Sequence, residues 1–145
     1  MLICDILREK GDQVYHVGPE ETVYRAIEKM AEKDIGALLV VESGQVVGII
    51  SERDYRNKVI LKGRTSKTTP VRDIMSSEVF WVSPSETVEN CLALMTERKF
   101  RHLPVIQNNT LAGIVSIGDL VKAVISQQKV EIFHLRHYIT GTYPV

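Results

Sequence analysis

Gly48-Ile49-Ile50-Ser51-Glu52-Arg53-Asp54 decides how this chain is read, because the pattern returns at Gly113-Ile114-Val115-Ser116-Ile117-Gly118-Asp119. In each copy a short β-branched run ends at a serine, an aspartate follows three residues later, and a stretch with helical spacing comes next. That describes a strand entering the N-terminus of a helix, with a hydroxyl and a carboxylate at the junction. A polar junction built twice is the best candidate for a site.

The duplication extends outward from the junction. Placing Val14 on Val79 and continuing without a gap to Tyr55 on Leu120 aligns 42 positions, of which 14 are identical. A duplicated unit buries its exposed face against its twin. With two copies, the expectation is a closed pair with pseudo-twofold symmetry instead of an open solenoid.

Each copy reads as strand, helix, strand, strand, helix, an α/β unit. Ile3 to Leu7 is a helical turn resembling Val71 to Met75, and Lys10-Gly11-Asp12 makes the next turn. Val14 to Val17 and Val79 to Val82 are short strands. Gly18-Pro19-Glu20-Glu21 and Ser83-Pro84-Ser85-Glu86 start the helices, with Pro at the first helical position and Ser83 and Glu86 as a capping box. Val23, Ile27 and Met30 form one core face, and Val88, Leu92 and Met95 its counterpart. Ala37 to Val41 turns at Glu42-Ser43-Gly44 into Gln45 to Ile50, and His102 to Ile106 turns at Asn108-Asn109 into Leu111 to Val115. These runs are continuously apolar, which predicts burial on both faces. A helix then carries Tyr55, Val59 and Ile60, and the last one runs from Leu120 through about Tyr138. The organisation expected is a first repeat over 1–61, a polar, basic linker over 62–70, and a second repeat over 71–145 with an extended C-terminal helix.

Composition narrows the function. The chain has 145 residues, enough for a sizeable core, and its 18 basic and 18 acidic side chains give zero formal net charge, so nothing in the balance predicts a nucleic-acid or membrane partner. No apolar run approaches the roughly 18 to 20 residues of a membrane span, and the first residues lack the pattern of a secretory signal. Cys4 and Cys91 make no disulfide framework; Cys91 falls on a helix's apolar face as a small hydrophobe. A reducing, cytoplasmic setting fits.

The junction has two readings. Ser51 with Asp54, and Ser116 with Asp119, have the spacing of a helix-capping box and nothing more is required of them. Equally, helix N-termini favour anions, and a carboxylate one turn in suits the two hydroxyls of a ribose. Arg53, Arg56 and Lys58 bring cations to the first copy, where a guanidinium can pair with phosphate. The second has Ile117-Gly118 in place of Glu52-Arg53, but Arg101-His102 where the first has Gly36-Ala37. Gly36 and Ala37 either leave room for a flat base or pack closely, and His102 is either a phosphate contact or structural. Catalysis has little support: the common zinc and P-loop motifs are missing from the sequence, and among His16, His102, His134 and His137 only the last two share helical spacing.

These motifs, with Thr22-Val23, Met30, Gly36-Ala37-Leu38, Thr87-Val88, Met95 and Arg101-His102-Leu103-Pro104-Val105, resemble those of a CBS-domain pair, or Bateman module, over about residues 1–139. Ser51 to Tyr55, Lys58 to Leu61 and Ser66-Lys67 resemble small stand-alone members, including plant organellar ones described as thioredoxin regulators. The resemblance implies a non-enzymatic sensor that holds AMP, ADP or ATP, or an NAD-type ligand (NAD, NADH) or S-adenosylmethionine, between its repeats. Asp54 and Asp119 would each hold a ribose, with Ser51 and Ser116 near phosphate. Arg53 would serve the first site, and Arg101 and His102 the second. It also implies a homodimer that modulates an unknown protein. Ile117-Gly118 departs from the pattern by lacking a cation beside Ser116. The alternatives are a ligand-independent interaction dimer and, less favoured, a nucleic-acid-binding regulator using Lys58, Lys62, Arg64 and Lys67.

Overall fold

The computed structural model describes residues 1–129, so the helix expected beyond that point, with His134 and His137, lies outside the described residues. The chain divides into two compact units, one spanning Gln13–Trp81 and the other combining Met1–Asp12 with the chain from Val82 onward. These boundaries differ from the sequence repeats, and the leading segments explain why.

In the first unit, β1 (His16–Val17) pairs in parallel with β2 (Ala37–Glu42), which pairs antiparallel with β3 (Gln45–Ser51). Helix α2 (Val23–Lys33) precedes β2, and α3 (Glu52–Lys58) follows β3. Val23, Ala26 and Met30 of α2 are buried with Val17, Leu38, Val40, Ile50 and Val59, while Ile27 packs partly buried against this core. In the second unit α1 (Ile3–Lys10) and α4 (Val88–Arg98) accompany the hairpin of β4 (His102–Gln107) and β5 (Thr110–Ser116), and α5 (Ile117–Gln127) follows. The strand expected at Val79 to Val82 reduces to one parallel bridge between Val82 and Val105.

Both hairpins turn through two residues with positive φ, Ser43-Gly44 and Asn108-Asn109, as a right-twisted pair of strands requires. The register shifts by one residue at the same place in each copy, between Val40 and Val41 and between Val105 and Ile106. Burial on both faces holds for β2 and β4, each with a run of buried residues. It fails for β3 and β5, where buried and half-buried positions alternate.

The helix starts also differ from expectation. The proline segments form separate turns, with the Glu21 N–H bonded to the Gly18 carbonyl and the Glu86 N–H to the Ser83 carbonyl. Threonine does the capping: Thr22 Oγ1 accepts the Arg25 N–H and Thr87 Oγ1 the Asn90 N–H, each at 3.1 Å. Both threonines hold the extended backbone that an N-cap needs.

Each leading segment packs on a strand of the other repeat. Leu7 of α1 lies against Gly113 of β5, where an added Cβ would stand 2.8 Å from Leu7 Cδ2. Its counterpart Met75 lies against Gly48 of β3, where an added Cβ would stand 2.6 Å from the sulfur. Only glycine lets these segments approach so closely. Backbone bonds complete the seats: the Ile3 N–H donates to the Glu86 carbonyl and the Cys4 N–H to the Pro84 carbonyl, both at 2.9 Å, and Ile49 and Ser76 exchange N–H···O bonds at 3.0 and 2.9 Å. The leading segments are therefore exchanged between the repeats.

Candidate functional site

Each Ser-Asp junction closes a reciprocal capping box. In the first unit Asp54 Oδ2 accepts the Ser51 N–H at 2.9 Å, and Ser51 Oγ accepts the Asp54 N–H at 3.3 Å. The Ser51 hydroxyl lies 3.2 Å from the same carboxylate oxygen and donates to it. In the second unit Asp119 Oδ2 accepts the Ser116 N–H at 2.8 Å, and Ser116 Oγ accepts the Asp119 N–H at 3.1 Å. The first helical N–H is taken too: Glu52 donates to the Gly36 carbonyl at 3.1 Å, and Ile117 to the Arg101 carbonyl at 2.8 Å. The helix ends are thus less open to an anion than the bare motif suggests, since two of their first three N–H groups have partners.

Strand pairing gathers the flanking residues. Ala37 lies opposite Ser51, and His102 opposite Ser116. Arg101, His102, Ser116 and Asp119 therefore share one end of the second hairpin, with Arg101 exposed and His102 half-buried. In the first unit Arg53 is exposed on the opening turn of α3, beside Ser51 and Asp54, and Ala37 is buried. All seven residues expected at a site fall at these two junctions.

A lysine completes each junction. Lys58 Nζ stands 3.0 Å from Asp54 Oδ1 and donates to the Ile74 carbonyl at 2.9 Å. Lys10 Nζ donates to Asp119 Oδ2 at 2.6 Å and to the Ile114 carbonyl at 2.8 Å. The Asp54 side chain is 14% exposed and that of Asp119 25%, so both carboxylates keep some access to solvent. Burial pushes the Asp119 carboxyl up, but the Lys10 ammonium and the Ser116 N–H together outweigh it and hold the group below its ordinary range. Lys58, expected from the sequence as a phosphate cation, is an ion-pair partner here, as its i, i+4 spacing from Asp54 also allows. Lys10 carries no such local signal, because 109 residues separate it from Asp119.

Away from the junctions, Cys91 is fully buried, and that burial, with a smaller push from Glu86, raises its thiol to about 11. Among the described residues no cluster of His, Cys, Asp or Glu is arranged to hold a metal ion. No helix among them is long and apolar enough to cross a membrane. The basic linker is largely engaged within its own unit: Arg64 pairs with Asp73 at 2.8 Å, and Lys67 sits 5.0 Å from the centre of the Tyr24 ring.

Comparison with known proteins places this geometry. The CBS domain family matches residues 4–60 and again 71–126. An Arabidopsis thaliana relative, the CBS domain-containing protein CBSX3, mitochondrial, is 40% identical over 97% of this chain and 73% of its own length. A signal-transduction protein with CBS domains from Burkholderia ambifaria superposes with a TM-score of 0.86 at 48% identity, over 88% of this chain and 96% of that one. The CBS domain pair of MJ0100, solved in complex with 5′-methylthioadenosine and S-adenosyl-L-methionine, shares the fold at 21% identity, with a TM-score of 0.78 over 88% of this chain and 98% of that one. With two family matches that together take in both Ser-Asp junctions, the chain belongs to the CBS domain family and carries a tandem pair of these domains.

Proposed function

We propose that this CBS pair is a non-catalytic regulatory module that binds an adenosine-containing small molecule at its Ser-Asp junctions and passes the occupancy to a partner protein. The observation that carries the reading is the second construction of the same junction. Two helix caps need no shielded carboxylate with a lysine on it, yet both copies have one. In this reading Asp54 and Asp119 accept the ribose hydroxyls, Ser51 and Ser116 stand beside phosphate, Arg53 neutralises charge in the first site, and Arg101 and His102 do so in the second. AMP, ADP and ATP are the first ligands to test. NAD, NADH and S-adenosylmethionine follow, since the fold of MJ0100 takes adenosyl compounds.

A homodimer belongs to the proposal. Val121 and Ile125, one turn apart on α5, are 44% and 55% exposed and offer an apolar strip to a second copy. The free cysteines fit a reducing compartment, either the cytoplasm or one like that of the mitochondrial relative. Nucleic acid is disfavoured, because Lys58, Arg64 and Lys67 already have partners within the chain. One competing reading has an observation behind it: the completed capping boxes are equally what a ligand-independent interaction protein would build.

Thermal unfolding of the ligand-stripped protein against the six compounds separates the two. A ligand at about a hundred times its dissociation constant adds about 2.7 kcal/mol and raises the midpoint by several degrees. A rise confined to adenosine compounds supports the sensor. An unmoved midpoint across the panel at millimolar concentration leaves the junctions as helix caps.

A further inference from the structure

We infer that Lys10 and Lys58 are ligand-displaceable latches that tie each site carboxylate to an exchanged leading segment, and that the Asp119 site is the easier of the two to fill. The inference rests on the reading of Asp54 and Asp119 as ribose ligands.

An ammonium has three donors, and each of these lysines spends one on the carboxylate and one on a main-chain carbonyl. The carbonyls are not arbitrary. Lys58 reaches Ile74, in the leading segment of the second repeat, next to the Met75 that packs on Gly48. Lys10 is itself the last residue of the leading helix α1, and it reaches Ile114, next to the Gly113 on which Leu7 packs. Both carboxylates are therefore joined through a lysine to the contact that seats a leading segment. Lys10 also stands two residues before the chain leaves its unit at Asp12. Loosening the end of α1 changes how that exit is held.

A ribose diol donates two hydrogen bonds to a carboxylate and so competes with whatever already donates there. At Asp54 both oxygens are committed, Oδ2 to Ser51 and Oδ1 to Lys58, so a diol must eject the lysine. At Asp119 the lysine and the Ser116 N–H share Oδ2, so among the described residues Oδ1 is the easier approach: the diol seats its first hydroxyl there and ejects the lysine as its second reaches Oδ2. Once the diol is seated, the displaced ammonium gives up its main-chain carbonyl as well, and the leading segment loses that anchor. The ligand thereby favours the state with loosened segments, as any ligand-driven shift requires.

The test uses adenosine, a neutral probe that keeps the diol but gives a freed lysine no phosphate to follow. Calorimetry and amide hydrogen exchange are run on the full chain, on Lys10→Met and on Lys58→Met, which keep the aliphatic stems; Lys10→Gln stands in if Lys10→Met does not fold. In the wild type, adenosine should speed exchange at the end of α1, where the Gly11 N–H bonds to the Leu7 carbonyl. Lys10→Met should show that faster exchange without ligand and bind adenosine about three- to fivefold more tightly, the size of a partly exposed ion pair. Lys58→Met should loosen residues 71–76 instead. If adenosine binds but Lys10→Met has wild-type affinity and wild-type exchange over 3–11, the latch is overturned while the binding site stands. If adenosine gives no heat with any of the proteins, the ribose reading falls and takes the latch with it.

Discussion

Replacing Gly48 by alanine should destabilise the protein distinctly more than replacing Gly113, although the two glycines hold equivalent places in the repeat. At Gly48 the new methyl group would lie 2.6 Å from Met75 Sδ and 2.9 Å from the Ser76 carbonyl oxygen. That oxygen accepts the Ile49 N–H at 3.0 Å, and the Ser76 N–H donates back to Ile49 at 2.9 Å, so it cannot retreat without breaking the pair. Overpacking of this kind costs about 1–3 kcal/mol, and the reduced freedom of the unfolded chain offsets about 0.4–1 of it. The net expectation for Gly48→Ala is a loss of about 1–2 kcal/mol. At Gly113 the close atoms are Leu7 Cδ2 and Cδ1, at 2.8 and 3.2 Å, the far end of a side chain that can turn. There the two terms nearly cancel, leaving a change of less than about 1 kcal/mol. Urea unfolding followed by circular dichroism reads both as shifts in midpoint at constant slope. A loss at Gly113 equal to or larger than that at Gly48 would refute the view that main-chain pairing, and not side-chain packing alone, seats the second leading segment.

Acid stability should depend on Lys10. The Asp119 carboxyl is held below its ordinary value, so its contribution is fully present above the unfolded value near 3.8 and is lost as pH falls through the lower folded one. Lys10→Met should therefore lose less stability than the wild type on acidification from about pH 5 to pH 2, and parallel acid limbs in a denaturant series would remove the ion pair from the account. Thiol labelling should find one reactive cysteine in the native protein, the half-buried Cys4, and two in denaturant, because the fully buried Cys91 thiol is held protonated by a value of about 11. Rapid native labelling of both would contradict that burial.

Much of this architecture can be read in the sequence because duplication turns weak local signals into paired ones. The Asn108-Asn109 turn has no glycine, yet alignment with Ser43-Gly44 marks it as a hairpin, and all four residues have positive φ. The Ser-x-x-Asp junctions were legible for the same reason, and both boxes form as the spacing implies. Helix starts are harder to place from sequence, because proline after a small residue suits a free-standing turn as well as a first helical position, and the caps, Thr22 and Thr87, come three residues later. Periodicity could not tell which strand receives a leading segment, since Leu7 and Met75 look alike whether they pack on their own repeat or on its twin. Lys10 was invisible for the same cause: its partner is supplied by that exchange and not by neighbouring sequence.

Titration calorimetry of the adenosine compound that raises the melting midpoint separates ribose ligands from simple helix caps at Asp54 and Asp119. The wild type is compared with Asp54→Ala, Asp119→Ala and the double variant, with circular dichroism establishing that each is folded. Each single change should remove or weaken one binding event, and the double change should abolish the heat. Wild-type affinity and stoichiometry in the folded double variant would contradict the ribose assignment.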